Sequence, residues 1–137
     1  MAISKQQREQ VRKLFDGRCA YCGEPLGERW HADHVQPVRR INNYETVKKS
    51  NGSYILKSNF TGRLNQPQNE SLQNYYPACV PCNLHKSDYS LEQWRVSLQK
   101  KTEELMRDSS AYRHAKRFGL VIETGVKVVF YFEKISN

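Results

Sequence analysis

Four cysteines in two Cys-x2-Cys pairs constrain this chain more than any other feature. "CAYC" carries Cys19 and Cys22, "CVPC" carries Cys79 and Cys82, and 56 residues separate the pairs. Each spacing lets two thiolates bind one ion from a tight turn, and four sulfurs at the corners of a tetrahedron form a closed, structural zinc site. The chain must then return at Cys79 to what it left at Cys22, which pins distant segments together. A redox centre needs only one such motif beside a βαβ unit and leaves the second pair unexplained.

A length of 137 residues suits one domain with one modest core, which a metal staple would reinforce. Twenty-two Lys and Arg against 14 Asp and Glu leave a net charge of +8, as expected for a polyanion partner. The basic residues recur in clusters: Arg39-Arg40, Lys48-Lys49, Lys100-Lys101 and Arg113 with Lys116-Arg117. No run approaches a membrane span and the opening "MAISKQQREQ" has no apolar segment, so the expectation is a cytoplasmic chain without a membrane partner. In that reducing setting, paired cysteines are metal ligands rather than disulfides.

The pattern predicts an α+β fold in a single domain over residues 1–137. Ser4 is placed to cap a first helix running to about Phe15, with Val11, Leu14 and Phe15 inward and Gly17 as its stop. Residues 38–73 are rich in Asn, Ser, Gly and Gln and read as an insertion of undefined structure in a core spanning about 18–90. Ser90 with Gln93 forms a capping-box signature for a helix to about Arg107, and a second helix is expected over roughly 109–118. The tail "LVIETGVKVVFYFEK" reads as a β-hairpin turning at Thr124-Gly125, which completes an extension over 91–137.

"WHADHVQP", residues 30–37, reads as a short strand interrupted by an acid and an imidazole. On a regular strand, Trp30, Ala32 and His34 share one face and His31, Asp33 and Val35 the other. Asp33 and His34 serve one site only if the strand ends or bends there. Pro37 makes an ending plausible.

Read in order, "ADHVQP" and "NYYPACVPCNLHKSD" (residues 74–88) resemble the HNH nucleases of the ββα-metal fold, in their zinc-stapled form. The resemblance rests on residues 18–37 and 74–88, about a third of the chain. It implies that His34 is the general base, that Asp33 and Asn83 hold the catalytic divalent metal, Mg²⁺ or Mn²⁺, and that Asn74 braces the loop presenting the histidine. It also implies DNA as substrate, although a basic groove and a phosphate-directed metal would accept RNA. Asn83 stands where the family has its last histidine, and His85 is an alternative ligand. The stretch from His34 to Asn74 is long for the family.

The chemistry is consistent with these residue types. A neutral imidazole can take a proton from water, and hard divalent ions prefer oxygen ligands such as a carboxylate and an amide carbonyl. Lys86 is expected either to meet a phosphate or to be solvated, and Arg39 and Arg40 to meet backbone phosphates. His31 is either an exposed strand residue or a phosphate contact, and His114 a surface residue. Tyr44, Tyr54 and Phe60 are expected to pack the insertion rather than to stack on bases. Two other functions fit the cysteines and charge: a zinc-stapled module that binds nucleic acid without cutting it, and a zinc-scaffolded protein-interaction surface.

Overall fold

The computed structural model describes residues 3–136. Helix α1 (Lys5–Lys13) begins with the expected Ser4 cap, and the cap is reciprocal: Ser4 Oγ accepts from the Gln7 N–H at 3.1 Å and Gln7 Oε1 accepts from the Ser4 N–H at 2.8 Å. It ends earlier than the apolar stripe suggests, because Asp16 and Gly17 both take positive φ and turn the chain toward Cys19. Val11 is buried and Leu14 is exposed. Arg8 lies 4.0 Å from the Trp30 ring centroid and donates to the Trp30 carbonyl, and Arg12 donates to the carbonyls of Leu26 and Gly27. These bonds fix α1 against the start of the first strand.

Strand β1 (Trp30–His34) pairs antiparallel with a strand much later in the chain, β4 (Tyr75–Cys79), and α2 (Val80–Lys86) follows β4 directly. The register sets Trp30 opposite Cys79 and His34 opposite Tyr75. One end of this sheet therefore carries the cysteines, and the other carries the histidine.

The undefined insertion is mostly a second antiparallel pair, β2 (Arg40–Lys48) and β3 (Tyr54–Leu64), closed by a turn in which Gly52 takes φ +86°. None of its residues belongs to the hydrophobic core. Tyr44, Tyr54 and Phe60 are exposed, which corrects the expectation that they pack the insertion.

Beyond α2 the predicted long helix is broken into α3 (Leu91–Gln99) and α4 (Lys101–Asp108), with Lys100 at the junction. Ser90 and Gln93 form the expected capping box, and the next helix is α5 (Ser110–Arg117), capped by Ser109. Trp94 is the buried anchor of α3.

The C-terminal hairpin is not formed. Residues 120–130 have no strand partner, and the chain ends its described course in a short helix, α6 (Tyr131–Lys134). The physical reason is that α3 side chains and the first cysteine turn satisfy this backbone instead. Gln99 accepts from the Val128 N–H at 2.9 Å and donates to the Val126 carbonyl at 2.8 Å, and Arg95 donates to the Val128 carbonyl at 2.7 Å. The Tyr131 and Phe132 N–H groups donate to the carbonyls of Tyr21 and Ala20.

That docking completes the core. Phe130 stacks on Trp94 with ring centroids 5.0 Å apart, and both meet the Tyr21 ring edge-on. Val11, Leu26, Trp30, Tyr75 and Ala78 fill the remainder. Gly23, at φ +81°, lies so close to Tyr131 that an added Cβ would come within 2.9 Å of its ring. Among the described residues, no helix is long and apolar enough to cross a membrane.

Candidate active site and metal cluster

The β1–β4 register and the two turns bring all four cysteines together. The Sγ atoms of Cys19, Cys22, Cys79 and Cys82 lie within 4.8 Å of one another, and Cys22 and Cys79 are 3.8 Å apart. A disulfide would require about 2.05 Å. A tetrahedron of metal–sulfur bonds near 2.3 Å has edges of about 3.8 Å, so the donor set and its spacing fit a zinc-sized ion. A hydrogen bond from Cys82 leads in pulling the Cys19 thiol down to about 4, while burial pushes Cys22 up to about 11.

Asp33 and His34 are the last two residues of β1, and they have separate partners. Asp33 is turned inward and only 7% exposed. Its Oδ2 accepts from the Tyr21 hydroxyl at 2.5 Å and lies 3.1 Å from Lys86 Nζ. Burial, followed by the Asp33 charge and hydrogen bond, holds the Tyr21 phenol far above its ordinary value, so it remains a donor. Asp33 Oδ1 has no hydrogen bond from any described residue.

Lys86 is the correction in this site. It has 0% exposure and donates to the His34 carbonyl at 2.7 Å as well as pairing with Asp33. It therefore does not lie where it could meet a phosphate or be solvated. It clamps the end of β1 from beneath, and its charge balances that of Asp33 in a setting where an unpaired charge would be costly. Asn83 sits one helical turn before Lys86 on α2, is half-buried, and makes no side-chain hydrogen bond to a described residue.

His34 is 31% exposed at its side chain. Its ring is tilted over Tyr75, with centroids 4.4 Å apart, and Nε2 lies 3.0 Å from Glu70 Oε2. Glu70 also accepts from the Tyr75 hydroxyl. Burial raises the Glu70 carboxyl, but the Tyr75 hydrogen bond and the neighbouring His34 help to outweigh it and leave it below the ordinary glutamate value. Ionised Glu70 keeps a proton on His34 Nε2 and leaves Nδ1 as the basic nitrogen, which has no partner among the described residues.

Asn74 holds the chain just after His34. Its amide donates to the Gln36 carbonyl at 2.9 Å and the Asn69 carbonyl at 2.8 Å, while its Oδ1 accepts from the Gln36 N–H at 2.9 Å. Val35 N–H donates to the Asn74 carbonyl at 2.9 Å. The segment that follows His34 is thereby tied at Val35 and Gln36.

Other polar candidates have different surroundings. His85 Nδ1 accepts from Trp94 Nε1 at 2.7 Å, so this histidine is engaged by α3. Arg39 pairs with Asp88 at 3.0 Å, and Arg40 lies over the Phe60 ring at 5.0 Å. His31 and His114 are exposed. Sequence reasoning missed Glu70 and the roles of Tyr21 and Tyr75. The one available signal for Glu70 was an isolated acid in an Asn- and Gln-rich stretch, which does not indicate a partner.

No protein-family model matches the chain, and no solved structure does. The chain is similar to a Bacillus subtilis (strain 168) protein described as "SPbeta prophage-derived putative HNH endonuclease YoqL", with 24% identity over 98 residues. The match covers 72% of this chain and 35% of that protein, so this chain corresponds to about a third of its relative's length.

Proposed function

We propose that this chain is a metal-dependent endonuclease of the HNH type, with a ββα-metal core formed by β1, β4 and α2, that hydrolyses DNA phosphodiester bonds. RNA is a chemically acceptable substrate, and the expected working place is the cytoplasm. The observation that carries the reading is the end of β1, where His34 is held through Nε2 by Glu70 while Asp33, beside it, keeps one carboxylate oxygen free of hydrogen bonds from the described residues. The similarity to a protein bearing the HNH endonuclease name points the same way.

In this reading His34 Nδ1 takes the proton from the attacking water, and the imidazole is kept in the required tautomer by Glu70. Asp33 and Asn83 supply oxygen donors for Mg²⁺ or Mn²⁺, which when bound supplies charge compensation for the phosphate and the leaving oxygen. Lys86 and Tyr21 orient Asp33 by occupying Oδ2, and Asn74 keeps the His34 loop in place. The four cysteines hold zinc for folding, which sets the start of α2, and hence Asn83, relative to β1.

The test is conversion of supercoiled plasmid to nicked or linear DNA, with and without Mg²⁺ or Mn²⁺, by wild type and Asn83→Ala. Metal-dependent conversion that is lost in the variant supports the reading. Zinc-loaded, folded wild type that binds DNA but never cuts it would leave a binding module.

A further inference from the structure

The long insertion leaves the core between two site residues and returns between them. Arg40, the first residue of β2, is six positions after His34, and Leu64, the last of β3, is six positions before Glu70. The base of the ribbon therefore joins the core through the segments that follow His34 and precede Glu70. The ribbon contributes nothing to the core, so packing does not explain its length.

Its charge is one-sided. Arg40, Lys48, Lys49, Lys57 and Arg63 face a single acid, Glu45, which gives +4 in 25 residues, half of the net charge of the whole chain. The two faces also differ. Directly opposed residues share a face, so Lys48 with Tyr54, Thr46 with Leu56, Tyr44 with Ser58 and Asn42 with Phe60 line one side. The other side carries Val47 with Ile55, Glu45 with Lys57 and Asn43 with Asn59. Glu45 is satisfied on that side by Lys57 at 3.8 Å and by the Asn59 amide at 3.1 Å.

The first face therefore has cations and aromatic rings and no carboxylate. Tyr44 is 64% exposed, Tyr54 65% and Leu56 70%. Lys48 and Arg40 sit over Tyr54 and Phe60 at opposite ends of this face. A soluble protein that leaves such a surface open uses it for binding.

We infer that the β2–β3 ribbon is a DNA-binding element that enters the major groove of a duplex, with the Tyr44, Tyr54, Leu56 and Phe60 face toward the base edges. This inference rests on the proposal that DNA is the substrate. Two strands about 4.8 Å apart, with their side chains, match a groove about 12 Å wide, which admits a two-stranded ribbon. Leu56, Phe60 and the Thr46 methyl suit thymine methyl groups, and the lysines at the tip reach the phosphates.

The experiment compares full-length wild type with Tyr44→Ser/Tyr54→Ser and Lys48→Ala/Lys49→Ala, without added Mg²⁺, by fluorescence anisotropy on a duplex oligonucleotide and on its single strand. Dimethyl sulfate interference then reads the guanine N7 in the major groove. The inference expects the tyrosine variant to bind duplex at least tenfold more weakly and to lose the N7 interference seen with wild type. It expects the lysine variant to lower the salt slope by about 1.8, from about 0.9 per phosphate contact. Unchanged duplex affinity in both variants, loss confined to the single strand, wild-type binding without N7 interference, or a change of oligomeric state alone would each overturn it. Plasmid cleavage by the same proteins separates the two claims. Wild type that binds through the ribbon but does not cut sinks the nuclease reading alone, whereas cutting with ribbon-independent binding sinks the ribbon inference alone.

Discussion

Lys86 Nζ lies 3.1 Å from Asp33 Oδ2 and 2.7 Å from the His34 carbonyl oxygen, with no part of the lysine exposed to solvent. One buried ammonium thus holds both residues of the β1 terminus, one by its side chain and the other by its backbone. Removing one partner of a buried pair leaves an uncompensated charge, which costs about 3–5 kcal/mol. Lys86→Ala is expected to lose stability in that range by urea denaturation, with Lys86→Ala/Asp33→Asn recovering part of it. Additive losses in the double variant would contradict the coupling.

Glu70 tests how His34 is oriented. Glu70→Ala is expected to slow plasmid cleavage about 10- to 100-fold while leaving DNA affinity unchanged, because the imidazole loses the acceptor at Nε2. Glu70→Gln keeps an acceptor oxygen and should restore part of the rate. Imidazole ¹⁵N shifts provide a readout independent of activity: His34 should carry its proton on Nε2 in wild type and become a tautomer mixture in Glu70→Ala. An unchanged tautomer would refute this role.

Some of the architecture was legible because local chemistry dictates it. The Ser4 cap, the capping box at Ser90 and the two cysteine turns depend on a few neighbouring residues. The strand at Trp30–His34 was legible for a similar reason, since it alternates inward Trp30 with exposed His31 and stops before Pro37. The tail misled because its alternating apolar residues, Val128, Phe130 and Phe132, are met by Trp94 and Tyr21 and its backbone by Gln99 and Arg95, all distant in sequence. The ribbon was hidden because both of its faces are exposed, so no apolar period marks it. Lys86 was misjudged because its burial depends on Asp33, 53 positions earlier.

Arg95 and Glu133 join α3 to the C-terminal segment, and Glu133 also accepts from the Phe130 N–H at 2.9 Å. The Arg95 hydrogen bond holds the Glu133 carboxyl below the ordinary glutamate value of 4.5. A depressed folded-state pKa gives stability that is present above the unfolded value and lost as pH falls through the folded one. The stability advantage of wild type over Glu133→Gln is therefore expected to be full at pH 6 and to shrink below about pH 4.5. Chemical denaturation at both pH values measures it, and an advantage that grows with acid would contradict the assignment.

The cysteine cluster predicts one zinc per chain. Cys79→Ser is expected to reduce bound zinc, measured by elemental analysis, and to lower the melting temperature, because ligation and folding are coupled. Full zinc occupancy with an unchanged melt would refute a four-sulfur site.

Asn74 makes three hydrogen bonds to Gln36 and Asn69, so Asn74→Ala should cost about 2 kcal/mol in stability. It should also slow cleavage by loosening the segment that follows His34. A variant as stable and as active as wild type would show that the clamp is dispensable.

The most direct test of the account is plasmid cleavage by wild type and His34→Ala, each zinc-loaded and matched for DNA affinity, in Mg²⁺ or Mn²⁺. The account predicts metal-dependent nicking or linearisation by wild type and a loss of at least about 100-fold in the variant with binding intact. Cleavage by His34→Ala at the wild-type rate would contradict it.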